Sequence, residues 1–274
     1  MGKTILIEQT NCCNLKCYIC PNRFHQRQQG YMNFYSFKNI IDQLLDYDKK
    51  YIYERLCLHG IGESLLSPDF WKNLDYLENK DFINVDFSTN GTLLNEENII
   101  KLSKYKCLSC VKISLNSSKK EIMEKMNTNS SFDIVVNNIK NLIKVSPKFK
   151  IAIQHIITED TKEEAQQDYI SLLETNNFIF FQIDLYNFKG KTVEQAVKEK
   201  VVGCDMIFGG ELPFVHWNGD LAGCCNDDTD MQIYGNALID GIYSKKTIEN
   251  KSRLLELFKK RDFSELPLCK MCLS

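Results

Sequence analysis

Six short runs rich in apolar and β-branched residues recur along the first two thirds of this 274-residue chain. They fall at Thr4–Glu8, Arg55–His59, Ile83–Ser88, Cys110–Leu115, Phe149–Ile157 and Ile179–Tyr186. Helical periodicity fills the gaps between them. Phe37, Ile40, Ile41, Leu44 and Leu45 share one face at three- and four-residue spacing, as do Ile134, Val135, Asn138, Ile139 and Leu142. Ala165, Tyr169, Leu172 and Leu173 form a third face after Thr161-Lys162-Glu163-Glu164, which reads as a capping box. Strands that alternate with helices pair in parallel through right-handed crossovers. The options are an open doubly wound sheet or a complete or partial barrel, with functional groups at the C-terminal ends of the strands.

After about residue 186 the pattern changes. The sequence predicts a helix over Thr192–Val201, then a hairpin in which Leu212–Trp217 and Leu221–Cys224 flank Asn218-Gly219. A basic helix over Ser252–Lys260 leads to Cys269-x2-Cys272. The division expected is a barrel over residues 1–190 and a small unit over residues 191–274.

Twelve cysteines without a leading apolar segment point to a reducing, cytoplasmic setting, where clustered thiols bind metal or do redox chemistry. No run approaches the ~20 apolar residues of a membrane span. A net charge of −2 supplies no field for nucleic acid.

Cys13, Cys17 and Cys20 form a C-x3-C-x2-C triplet just after the first apolar run. A structural zinc site needs four closed ligands, and a cubane iron–sulfur cluster ordinarily takes four cysteines. Three on a cubane leave one iron open to a small molecule. A zinc site with a distant fourth ligand, Cys204 or a histidine, is the rival on spacing alone. Each later strand end also carries a polar or glycine-rich cluster: Gly60-Ile61-Gly62-Glu63 after the second, Thr89-Asn90-Gly91 after the third, Ser114 at the fourth. Taken singly, these are turns or helix caps.

Together and in order, the elements resemble the radical S-adenosylmethionine (radical SAM) superfamily. The resemblance implies a partial (β/α)6 TIM-like barrel over about residues 4–190. It implies a [4Fe-4S] cluster on Cys13, Cys17 and Cys20, whose open iron takes the methionine moiety of S-adenosylmethionine. Gly60, Gly62 and Glu63 match the "GGE" element that holds the methionine amino group, with Ser64 where a proline is usual. Thr89-Asn90-Gly91 resembles the "TNG" element near the ribose, Ser114 matches a ribose contact, and Gly30-Tyr31-Met32 is similar to a "G-x-M" stretch.

Cys204, Cys224 or Cys225, Cys269 and Cys272 form a second set. On spacing this is either a zinc ribbon or an electron-transferring cluster. It resembles the "Twitch" auxiliary-cluster domain, a shortened SPASM domain, which implies a second [4Fe-4S] cluster, with Cys224 favoured over Cys225 by the Gly-x4-Cys spacing. One auxiliary cluster is expected, because the chain stops two residues past Cys272.

The layout is similar to the 2-deoxy-scyllo-inosamine dehydrogenase family. That similarity implies hydrogen abstraction from a small polar sugar- or cyclitol-like metabolite, with the second electron passing to the auxiliary cluster. The alternatives are crosslinking or epimerisation of a ribosomal peptide, with Cys225 or another spare cysteine as hydrogen donor, and a non-catalytic zinc- or cluster-binding protein. Peptide work is the less favoured because the cluster loop begins at residue 13, which leaves no room for a recognition domain ahead of it. A flavodoxin- or ferredoxin-type reductant is the expected partner. Cys107-x2-Cys110 reads as buried small hydrophobes, and the four histidines as core or surface residues. Arg23, His25 and Arg27 face either the pocket or solvent.

Overall fold

A computed structural model describes residues 4–23, 27–184, 214–225, 227 and 229–273, the side chains of residues 184 and 271–273 excepted. Six parallel strands lie side by side in chain order: β1 (Thr4–Ile7), β2 (Arg55–Cys57), β3 (Val85–Thr89), β4 (Leu108–Asn116), β5 (Lys150–Ile157) and β6 (Ile179–Asp184). Each is joined to the next by a crossover containing one or two helices, as the alternating pattern requires. This is the partial barrel expected of the sequence.

Helices α1 (Phe34–Tyr47), α2 (Phe70–Asn79), α3 (Glu96–Leu102), α4 (Lys120–Met126), α5 (Phe132–Val145) and α6 (Gln166–Leu173) supply the crossovers. The predicted face of α1 is the buried one: Phe37, Ile40, Ile41 and Leu44 are fully enclosed. Asn33 caps this helix by accepting from the Ser36 amide at 2.9 Å. On α5, Val135, Ile139 and Leu142 are buried, whereas Ile134 is exposed.

Helix α6 begins at Gln166, later than the Thr161 capping box predicts. The Glu164 carboxylate is drawn elsewhere. It accepts from the Ser117 hydroxyl at 2.6 Å and from the Ser118 amide and hydroxyl at 2.5 and 2.6 Å, closing the loop after β4. Asp168 caps the helix instead, accepting from the Ala165 amide at 2.7 Å.

The hairpin β7 (Phe214–Val215) and β8 (Asp220–Ala222) forms around Asn218-Gly219, with Gly219 at φ +91. A third strand, β9 (Ile233–Asn236), pairs with β8. β7 lies parallel to β1, so one nine-stranded sheet runs β6-β5-β4-β3-β2-β1-β7-β8-β9. Helix α7 spans Lys245–Lys259, longer than the predicted basic helix, and α8 spans Pro267–Leu273. The helix predicted over Thr192–Val201 and the boundary at residue 190 lie outside the described residues. No helix among the described residues is long and apolar enough to cross a membrane.

Candidate functional site

A cavity of about 400 Å³ opens at the C-terminal ends of the parallel strands. Its wall contains Cys13, Cys17 and Cys20, together with Gly60, Gly62, Glu63, Thr89, Asn90 and Ser114. Every site residue predicted in the barrel therefore meets in one place. Parallel strands deliver this convergence, because side chains at their ends aim into the same mouth.

The cysteine loop is clamped on two sides. On one, the Lys16 and Tyr18 amides donate to the Thr128 and Met126 carbonyls at 3.1 Å each, and Ile19 packs on Met126. On the other, the Glu63 amide donates to the Cys12 carbonyl at 2.8 Å. Asn22 Nδ2 bridges the Asn11 and Ile61 carbonyls at 2.8 and 2.7 Å. Gly62 is required by this approach. A Cβ there would sit 2.3 Å from the Thr10 carbonyl oxygen and 2.6 Å from that of Cys12. The need is for space between two backbones rather than for a left-handed conformation.

Burial pushes the Cys17 thiol up to about 12, and the neighbouring Cys20 and Cys13 sulfurs add to the shift. Burial also raises Cys13, against the Leu15 amide, which donates to its sulfur at 3.4 Å. Three crowded thiols in a partly dry loop are costly to ionise without a cation, so the loop's chemistry is that of a metal-binding donor set.

Glu63 is 2 % exposed, and burial raises its carboxyl above the usual range. The Asn90 and Leu65 amides oppose that rise by donating to it at 2.7 and 3.2 Å. The Thr89 side chain bonds to it as well, and since a carboxylate offers about four acceptor positions, one remains for an ammonium group. Asn90 braces the site further, its Nδ2 donating to Asn14 Oδ1 at 2.9 Å. The Gly91 amide donates to Thr89 Oγ1 at 3.1 Å, and Gly91 holds φ +79 in the turn.

Of the second cysteine set, Cys204 and the Cys272 side chain lie outside the described residues. Cys269 is buried in α8 with its sulfur 3.4 Å from Gln232 Nε2. The adjacent pair divides: both Cys224 and Cys225 are half-buried, and Cys225 is the one in the cavity wall. Asp227 organises the loop that follows, accepting from the Met231 and Gln232 amides at 3.0 and 2.7 Å.

Inside the barrel, Cys57, His59 and Asp86 bring donor atoms within 4.8 Å of one another. Arg55 and Lys112 already hold Asp86 Oδ2 at 2.6 and 3.0 Å. A unit positive charge 4 Å from a divalent metal ion repels it by about 8 kcal/mol at an effective dielectric of 20, so the cluster is an ion network. Cys107 is buried as expected, while Cys110 is half-buried.

Sequence reasoning missed Glu8, Asn22 and the role of Arg27. Glu8 is fully buried at the end of β1, and Arg27 binds it through both terminal nitrogens at 3.2 and 2.7 Å. An acidic residue closing an otherwise apolar strand was the available signal.

The sequence profile described as the Radical SAM superfamily matches residues 7–169, more than half of the chain. The chain belongs to that superfamily. Membership implies a [4Fe-4S] cluster and S-adenosylmethionine, and the three-thiol loop beside a buried carboxylate fits both.

The mycofactocin maturase MftC of Mycobacterium ulcerans is 32% identical over 135 residues, which are 49% of this chain and 35% of that protein. A probable GTP 3′,8-cyclase of Methanocaldococcus jannaschii is 26% identical over 205 residues, 72% of this chain and 67% of its own. This chain spans about a third of the length of the maturase it matches. Among solved structures, BtrN in complex with AdoMet and 2-DOIA superposes with a TM-score of 0.63 at 18% identity, covering 100% of this chain and 94% of that one. Streptococcus suis SuiB bound to precursor peptide SuiA gives 0.60 at 15% identity, covering 88% and 64%. These likenesses speak for the fold.

Proposed function

We propose that this chain abstracts a hydrogen atom from a substrate bound in the cavity and that Cys225 returns one, so that the net change is epimerisation. The reading rests on one observation: a thiol outside the cluster triplet stands in the same wall as Cys13, Cys17, Cys20 and Glu63. S-adenosylmethionine on a reduced four-iron cluster supplies a 5′-deoxyadenosyl radical. Cys13, Cys17 and Cys20 would hold that cluster, and Glu63 the ammonium group. Gly60 and Gly62 would let the backbone approach, while Thr89, Asn90 and Ser114 would line the nucleoside side.

The substrate C–H bond breaks homolytically toward the 5′-carbon. The Cys225 S–H bond then breaks toward the substrate carbon from the other face. The sulfur radical left behind would take one electron from a flavodoxin- or ferredoxin-type reductant, directly or through an auxiliary cluster that Cys204, Cys224, Cys269 and Cys272 would hold, and one proton from solvent. A peptide is the substrate class this favours, in keeping with the maturase similarity.

The second reading is two-electron oxidation of a small polar metabolite, with the substrate radical losing its electron to the auxiliary cluster. The likeness to BtrN, solved with AdoMet and 2-DOIA, covers the whole chain and supports the small-molecule substrate of this reading. In that case Cys225 is a wall residue only.

Anaerobic turnover in D2O separates the readings. Epimerisation adds one deuterium to the product carbon and leaves the unlabelled mass otherwise unchanged; oxidation removes two hydrogens. Cys225→Ala should abolish deuterium incorporation while 5′-deoxyadenosine still forms. A Cys225→Ala enzyme that still returns solvent hydrogen would refute the thiol's role, and loaded, reduced wild type that forms no 5′-deoxyadenosine would refute the radical reading.

A further inference from the structure

Arg27 stands between two parts of the site that no local pattern connects. Its Nη1 and Nη2 donate to Glu8, and its Nε lies 2.9 Å from Asp230 Oδ1. The Arg27 side chain is 3 % exposed and that of Glu8 0 %, so this pair is buried, while Asp230, at 32 %, stands at the edge. Glu8 faces the Gly60–Glu63 loop. Its Oε1 accepts from the Ile61 amide at 3.3 Å, and its side chain fills the space that a Cβ at Gly60 would need. Its Oε2 accepts from the Trp217 amide at 3.3 Å. Asp230 faces the other side. It lies five residues beyond Cys225, in the loop that Asp227 ties together, and also meets His216 Nδ1 at 2.9 Å.

We propose that Arg27 is a positioning residue that pins the Cys225-bearing loop to the Gly60–Glu63 loop, and so fixes where the Cys225 thiol stands in the cavity. The guanidinium forks onto Glu8 through two aligned hydrogen bonds, and its Nε faces Asp230 as an ion pair without hydrogen-bond alignment, so one residue ties two carboxylates together. Lysine would supply the charge without the fork. Trp217 adds a steric stop, because its indole covers Gly30, where a Cβ would fall 2.3 Å from the ring. The segment carrying Arg27 therefore cannot slide along the hairpin. The inference deepens the reading of Cys225 given above and is testable without a substrate.

The experiment is iodoacetamide labelling of the cluster-loaded full chain under anaerobic conditions, with each cysteine followed by peptide mass spectrometry. Arg27→Gln, Arg27→Lys and Asp230→Asn are compared with wild type. Asp230→Asn removes the negative charge that faces Arg27 and His216 and leaves the Arg27–Glu8 pair in place, and it should raise the Cys225 labelling rate about tenfold while iron content and dithionite-driven S-adenosylmethionine cleavage stay within about twofold. Arg27→Gln should raise Cys225 labelling at least as much, with Arg27→Lys between it and wild type. Cys57 and Cys107, buried in the barrel, should label as in wild type throughout.

Unchanged Cys225 labelling in both Asp230→Asn and Arg27→Gln overturns the proposal. So does a rise shared equally by Cys57 and Cys107, which reports general loosening. Variants that label as predicted, in an enzyme whose wild type never cleaves S-adenosylmethionine, leave the positioning role standing and remove the radical reading.

Discussion

Gly62→Ala tests the joint on which the cavity depends. The added methyl would meet two backbone oxygens, those of Thr10 and Cys12, at 2.3 and 2.6 Å. Backbone cannot rotate aside as a side-chain tip can, so the two loops must separate by about 1 Å to restore ordinary contact. That movement stretches the Glu63 amide bond to the Cys12 carbonyl from 2.8 Å to beyond hydrogen-bonding range. The lost bond is worth about 1 kcal/mol, and overpacking a tight contact adds about 1–3.

The sum, about 2–4 kcal/mol, corresponds to roughly 30- to 1,000-fold in an equilibrium constant. It falls on S-adenosylmethionine binding if the Gly60–Glu63 loop yields, and on thermal stability if the loop holds. Anaerobic equilibrium dialysis with S-adenosylmethionine and thermal unfolding of the same sample measure both. Wild-type affinity together with wild-type stability in Gly62→Ala would mean that the two loops are not in contact as described.

Other changes read other parts of the site. Burial lowers His59 to about 4 from an ordinary 6.5. The unfolded chain therefore takes up a proton that the folded chain refuses between those values, and stability, complete above pH 6.5, should fall as pH drops toward 4. The full linkage would be about 3 kcal/mol, reduced by the partial exposure of the ring; acid unfolding of His59→Gln should show a flatter slope over that window. Asp86→Asn leaves Lys112, only 16 % exposed, without its carboxylate, and should cost about 3 kcal/mol in chemical denaturation. Cys13→Ala should remove about four of about eight reconstituted irons and all 5′-deoxyadenosine formation, while Cys269→Ala should remove only the other four.

The barrel was legible because it follows from periodicity. Strands β1–β6 were predicted to within about two residues at nearly every end inside the described residues, the alternation of period 2 and period 3.6 being a local property of the chain. The exceptions are places where a distant partner overrides a local signal. Thr161-x-x-Glu164 has the composition of a capping box, yet Glu164 satisfies three donors from Ser117 and Ser118, more than one helix cap offers it. Strand β9 carries Gly235-Asn236, two residues depleted in strands. It is extended because β8 supplies its hydrogen bonds and Thr247 packs against Gly235, where a Cβ would lie 3.1 Å from the threonine hydroxyl.

The candidate site divides along the same line. Its cysteines and glycines were visible because their chemistry fixes their spacing in sequence: three sulfurs around one cluster must come from a short loop, and a carboxylate beside a close backbone approach must follow glycine. Glu8, Arg27 and Asp230 have no such constraint. They meet across 19 and more than 200 residues, and any loop length that lets a guanidinium reach two carboxylates would serve. The Cys224-Cys225 pair shows where spacing stops informing. Counting from Gly219 favours Cys224 for the second cluster, but counting cannot say what its neighbour faces. That depends on how the loop after β8 is rotated, and the rotation is held by Asp227 within the loop and by Arg27 from across the site. A chain with the same cysteine spacing and no cation at position 27 would keep its cluster ligands and lose the fixed thiol.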